Sequence, residues 1–173
     1  MPTKKYQNEG SPGPFEIVEL LRTYSTDREA DIETFVAALG FNWLIAGTDA
    51  HAKNYSLLLG GPHVRLAPLY DVASILPYDQ FDHRKVKLAM KIGDEYRLDQ
   101  IGLRQWQKFA RGARIDSEAR IERLMTMAMQ LPDELSSVVS RARDAGLQGT
   151  VIDRLASGLT ERAVVCRRSL REI

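Results

Sequence analysis

Asp49 and Asn54 stand five residues apart in the run Thr48-Asp49-Ala50-His51-Ala52-Lys53-Asn54, and a second carboxylate follows in Leu69-Tyr70-Asp71. Phosphoryl transfer needs a carboxylate to orient the attacking hydroxyl. It also needs an amide oxygen and a second carboxylate to hold magnesium against the nucleotide phosphates. A catalytic loop of the form D-x-x-x-x-N, with a metal-binding aspartate beyond a short strand pair, supplies those groups in that order. Lys53 adds a point charge suited to a phosphate. The plainer reading is that Asp and Asn before a strand are ordinary turn formers and helix caps, and a bare D-x-x-x-x-N arises often by chance. Asp49-x-His51 is also half of a zinc site, but zinc needs three or four protein ligands and no further His or Cys cluster accompanies it.

The elements around these residues give the pattern a geometric reason. Two Gly and two Pro within 8–14 predict a loop. Ile17, Val18, Leu20 and Leu21 recur at helical spacing from Phe15 to about Ser25. Asp27 is placed to cap a second helix through its side-chain oxygen. That helix is apolar on most faces (Ile32, Phe35, Val36, Leu39, Trp43, Leu44, Ile45), which implies burial, and Gly47 is expected to end it. Tyr55 to Leu59 and Val64 to Ala67 read as short strands about Gly60-Gly61-Pro62-His63. Strands so short, about 15 Å each, bring the chain back close to where it left, so Asp71 can lie near Asn54.

A helical turn is expected between Asp71 and Pro77, an exposed loop over 79–84, and a second hairpin about Gly93-Asp94. Helices are expected over 101–113, 116–144 and 148–172, with Pro132 a candidate break. Trp43, Trp106, Leu124, Met125, Met127 and Met129 are candidate core residues. His63 and His83 are expected in solvent.

Composition bounds the class. The chain has 173 residues, 44% apolar and 27% charged, with a net charge of +1, which suits one globular domain with a core rather than a general nucleic-acid binder. The excess of basic residues lies after residue 103. Cys166 is the only cysteine, so no internal disulfide forms, as in a reducing cytosol. No apolar run approaches the roughly 20 residues of a membrane span, and Met1 to Tyr6 lacks a signal-peptide apolar region. A cytoplasmic location without membrane association is the expectation.

The run Phe41 to Ser56 closely resembles the HipA family of serine/threonine protein kinases. So do Leu66-Ala67-Pro68-Leu69-Tyr70-Asp71-Val72, Lys87-Leu88-Ala89-Met90, and Lys5-Tyr6-Gln7 with Gly10 to Gly13. The resemblance covers residues 4 to at least 114 and implies a single domain over 1–173. That domain would be the mainly α, C-terminal helical lobe of a kinase-like fold, with two short β-hairpins. It implies that Asp49 is the catalytic aspartate, and that His51, Lys53 and Asn54 form the loop contacting ATP phosphates and Mg2+. Asn54 and Asp71 would be the metal ligands, and Tyr70 would line the nucleotide pocket.

The family supplies the toxins of toxin–antitoxin modules linked to persistence. The resemblance therefore implies a helix-turn-helix antitoxin of HipB type as partner, an aminoacyl-tRNA synthetase as a protein substrate, and operator DNA contacted through the complex. Arg111 and Arg114, read as sharing one helix face, match the helix that approaches DNA. Gly47-Thr48 precede Asp49 where common kinases have His-Arg, and Ala73 stands at the DFG glycine position. Only 48 residues precede Asp49, with no G-x-G-x-x-G and no strand lysine to pair the α- and β-phosphates. The ATP-covering half is expected outside these 173 residues, which alone should transfer phosphate poorly or not at all. The competing expectation is a non-catalytic module that binds an antitoxin, DNA or a separate N-terminal lobe.

Overall fold

The computed structural model describes residues 5–82 and 85–171; His83 lies outside them. Five α-helices and two antiparallel hairpins follow a short 3-10 turn at Gln7–Glu9: α1 (Pro14–Tyr24), α2 (Arg28–Leu44), β1 (Leu57–Gly60), β2 (His63–Leu66), β3 (Lys87–Ile92), β4 (Glu95–Arg97), α3 (Leu103–Ala113), α4 (Ser117–Asp144) and α5 (Thr150–Ser169). The mainly helical architecture with two hairpins is the one the sequence predicts. No helix among the described residues is long and apolar enough to cross a membrane.

Helix α2 is the axis of the core. Its Phe35, Val36, Leu39, Trp43 and Leu44 are buried, as its all-round apolarity requires. Trp43 meets Trp106 of α3 edge to face, with ring centroids 5.7 Å apart, a geometry favoured by the aromatic quadrupole. Gly40, mid-helix, gives up helix propensity, but a Cβ there would run into the Leu124 side chain of α4. From α5, the Arg162 guanidinium donates to the Trp43 carbonyl at 2.8 Å and lies over the Trp43 ring. It thereby satisfies one of the carbonyls that a helix end leaves unpaired.

Several local expectations are corrected. Asp27 occupies the cap position of α2, but its side chain makes no cap bond; the carboxylate sits 3.5 Å from Arg65 instead. The helix ends at Leu44, and the residue that reverses the chain is Ala46, at φ 55°, rather than Gly47. Gly47 N–H donates to Asn42 O at 2.7 Å and Ala46 N–H to Trp43 O at 3.4 Å, the paired bonds of a Schellman ending. Glycine is needed at 47 for space, because a Cβ would strike Asn42 Oδ1.

No helical turn forms after Asp71. Ser74 Oγ donates to Ile45 O at 2.6 Å and accepts from Leu76 N–H at 3.2 Å, fixing a side-chain-bonded turn there instead. Helix α4 runs unbroken through Pro132; the lost N–H costs about 3 kcal/mol in an isolated helix, offset here by packing against α5. Leu124 is buried and Met125 and Met127 partly so, but Met129 is 55% exposed.

Candidate functional site

The loop leaving α2 carries the predicted residues in order, and the first hairpin returns as expected. Strands β1 and β2 pair from Leu57 with Leu66 to Gly60 with His63. Asn54 ends a 3-10 turn over Ala52–Asn54 and is buried. Its Nδ2 donates to Asp71 Oδ2 at 2.7 Å across 17 residues of chain. Asp71 adopts a left-handed backbone, φ 56°, a conformation that Asp tolerates better than most residues but that still carries strain. Tyr70, next to it, closes the base of the hairpin: its hydroxyl donates to Lys53 O at 2.7 Å and shares a 2.8 Å bond with Ser56 Oγ. Tyr70 is 45% exposed, and Lys53 on the same loop is exposed as well.

The hairpin is held to the helices by a charge network that sequence reasoning missed. Asp31, on the first turns of α2, is 3% exposed. It accepts from Arg65 Nη2 at 3.0 Å, from Leu66 N–H at 2.8 Å and from Ser25 Oγ at 2.7 Å. Burial raises its pKa, but the bonds from Arg65, Ser25 and Leu66 N–H outweigh that and leave it below the usual carboxylate value. The signal for it was an acid on an otherwise apolar helix face.

Asp49 lies apart from the Asn54–Asp71 pair in its contacts. Its carboxylate meets Lys5 Nζ at 2.8 and 3.0 Å, and Tyr6 OH at 3.4 Å. The hydrogen bond from Lys5 to Asp49 raises the lysine pKa. Lys5 and Tyr6 were legible as part of a stretch that resembles the family, but nothing local in sequence says that they reach Asp49. His51 is buried beside Tyr6, ring centroids 6.3 Å apart, and its Nδ1 has no hydrogen-bond partner among the described residues.

The Asn54–Asp71 pair has the chemistry of half a magnesium site. Asn54 Oδ1 is buried and lacks a partner, which is costly for a polar atom unless something else satisfies it. It lines a recess of about 20 Å³ with Asp71, Tyr70 and Asn42. A hard dication takes amide and carboxylate oxygens, and magnesium is commonly held by one or two carboxylates, waters and substrate phosphates. Among the described residues no three His, Cys, Asp or Glu side chains cluster to hold a metal by themselves. The donor set therefore fits magnesium brought with phosphates and does not fit a zinc centre.

The shared helix face expected of Arg111 and Arg114 is corrected. Arg111 ends α3 exposed, but Arg114 lies past the helix at φ 52°. Its guanidinium donates to both Glu19 oxygens at 3.1 Å. The two arginines do not share a helix face.

A mainly helical lobe with two hairpins, and an amide–carboxylate pair closed by the first of them, is the C-terminal lobe of a kinase-like fold. The chain belongs to the HipA-like C-terminal domain family, whose model matches residues 1–136. It is 29% identical over 169 residues to Y4mE of Sinorhizobium fredii, which carries a provisional kinase name; the match covers 98% of this chain and 40% of that protein. It is 31% identical over 99 residues to the serine/threonine-protein kinase toxin HipA of Shewanella oneidensis, covering 57% of this chain and 22% of that one. The fold matches a chain in the solved complex of Shewanella oneidensis HipA, HipB and operator DNA at a TM-score of 0.84 and 21% identity, over 99% of this chain and 43% of that chain. The chain thus spans less than half the length of the relatives it matches.

Proposed function

We propose that this chain forms the metal-and-acceptor half of a HipA-type serine/threonine protein kinase site, transferring the ATP γ-phosphate to a protein serine. The observation that carries the reading is the 2.7 Å bond joining Asn54 to Asp71, with the Asn54 amide oxygen buried and unspent. Asn54 Oδ1 and Asp71 would hold Mg2+, which when bound would neutralise charge on the phosphates. Asp49 accepts a hydrogen bond from the serine hydroxyl and orients it for attack. Lys53 steadies a phosphate as a point charge. His51, whose buried Nδ1 has no partner among the described residues, steadies the phosphates with Lys53. Tyr70 walls the nucleotide side and ties the loop to Asp71.

Membership of the family and the kinase names of the relatives support this reading. The 48 residues before Asp49 contain no G-x-G-x-x-G and no strand lysine of the kind that pairs the α- and β-phosphates. These 173 residues alone therefore transfer phosphate poorly. By likeness to the HipA–HipB–DNA complex, the partners are an antitoxin of HipB type, a helix-turn-helix protein by the sequence resemblance, and operator DNA, with Arg111 and Arg114 as exposed cations at the α3 end. An aminoacyl-tRNA synthetase is the substrate class the resemblance implies. A cytoplasmic toxin acting on such an enzyme is consistent with the single buried cysteine.

The test is ATP-dependent phosphorylation by the protein as its gene encodes it, together with any neighbouring frame that supplies a Gly-rich loop and an ATP lysine. Asp49→Asn is expected to abolish transfer while leaving the fold intact. Undiminished transfer by Asp49→Asn would refute the reading. A complex with the antitoxin that forms normally while no transfer occurs under any condition would favour the binding-module role instead.

A further inference from the structure

The loop that carries the proposed site has two recesses, and they share no lining residue. The small one holds Asn54 and Asp71. The other is a cleft of about 410 Å³ bounded by Tyr6, Asn8, Thr48, Asp49, Lys87 and Tyr96, floored by the apolar start of β3. Its volume lies in the range of binding clefts, about 300–1,000 Å³. Of the two site carboxylates, Asp49 alone opens onto it. Hydroxyl, amide, carboxylate and ammonium groups line its walls above Leu88 and Ala89, a mixed lining suited to a peptide segment rather than to a purely apolar ligand.

The charges at its rim are unequal. Lys5 is engaged by Asp49. Lys87 is exposed at the start of β3, and its side chain makes no ion pair or hydrogen bond among the described residues. An unspent cation at the edge of a cleft attracts and orients an anionic group.

We propose that this cleft is the acceptor groove: it takes an extended peptide segment with the serine hydroxyl at Asp49 and an acidic side chain next to the serine on Lys87. The assignment rests on the reading of Asp49 as the hydroxyl-orienting carboxylate. It divides labour across the loop. Nucleotide phosphates and metal lie on the Asn54–Asp71 side, and the acceptor approaches from the side of the Gln7–Glu9 turn and β3. Tyr6 and Tyr96 flank the segment, each offering an amphipathic ring that contacts a chain of varied sequence.

The experiment is a binding titration by fluorescence anisotropy, at low salt and without nucleotide. Two labelled serine peptides are compared on the 173-residue chain, one with glutamates beside the serine and one with lysines. The acidic peptide is expected to bind at least about fivefold more tightly, the scale of one partly exposed charge contact. Lys87→Glu is expected to reverse the order, and the exposed position lets that variant fold. Equal affinities, an order unchanged in Lys87→Glu, or binding of neither peptide would overturn the groove. Because no nucleotide is present, that failure would leave Asp49-dependent transfer standing, and loss of the transfer reading would leave the peptide preference standing.

Discussion

Strand β1 leaves Leu58 and Leu59 at 55% and 77% exposure, whereas β3 buries Leu88, Ala89, Met90 and Ile92. The first hairpin is tied down by directional bonds. Asp31 grips Arg65 and Leu66 N–H, Thr26 donates to Val64 O from both its N–H and its hydroxyl at 2.9 Å, and Tyr70 bonds Lys53 O and Ser56. The second hairpin is held mainly by burial, with one bond from Lys91 N–H to Gln7 Oε1 at 2.9 Å and an exposed Lys108–Asp94 pair at its turn. Burial is non-directional, while hydrogen bonds fix distance and angle. The hairpin that must set Asn54 against Asp71 uses the interaction that specifies geometry. The one that only walls a cleft uses the interaction that supplies bulk stability.

That contrast can be broken most forcefully at the site itself. Asn54→Ala and Asp71→Asn should each lower phosphoryl transfer by at least about a hundredfold, in line with loss of one preorganised charge contact, with thermal stability within about 1 kcal/mol of the parent. Steady-state transfer and a melting curve on the same preparations check both halves of the statement. In the second hairpin the expectation inverts. Met90→Ala should cost about 3 kcal/mol through the cavity it leaves, read by denaturant unfolding, with Asn54 and Asp71 unmoved in the fraction that stays folded.

Asp31→Asn tests the polar tie. Asn keeps the shape but not the charge that accepts from Arg65, and about 2 kcal/mol should be lost, discounted because Arg65 is partly in solvent. The pH dependence has a definite sign. The folded pKa of Asp31 lies below its ordinary 3.8, so its contribution is complete above that value and fades as pH falls toward the folded pKa. The parent should therefore lose stability more steeply than the variant below about pH 4 in acid titrations followed by circular dichroism. A parallel slope for both proteins would remove Asp31 from the account.

The smallest effect concerns the turn into the loop. Ala46 carries a left-handed backbone without a glycine, so Ala46→Gly should relieve up to about 1 kcal/mol of strain, minus the small burial of one methyl. Gly47→Ala should destabilise, because Asn42 and the Ala73 carbonyl occupy the space. Cys166, buried and pushed up to about 11 by burial, should resist thiol reagents in the native state and react only on unfolding.

Much of this was legible in sequence. Apolar periodicity located α1, α2 and the three C-terminal helices, and Gly-Gly-Pro and Gly-Asp located both hairpins. The convergence of Asn54 and Asp71 followed from strand length alone. What was not legible depended on tertiary partners. Asp27 is free to abandon its cap because Arg65 arrives from β2. Ser74 reaches the Ile45 carbonyl and pre-empts a helical turn. Lys5 reaches Asp49 across 44 residues, and Arg114 leaves α3 for Glu19 on α1. Local pattern registers propensity, and these side chains are placed by contacts that no window of sequence contains.

In the proposed site Asn54 and Asp71 would hold the metal while Asp49 serves the acceptor. Paramagnetic broadening by Mn2+ with ATP, followed by NMR on the 173-residue chain, tests it most directly. The account predicts that the Asn54 side-chain amide and the backbone amides of 70–72 broaden first, with Asp71→Asn removing the effect. Broadening centred on Asp49 and Tyr6, or none near Asn54 at saturating Mn-ATP, would contradict it.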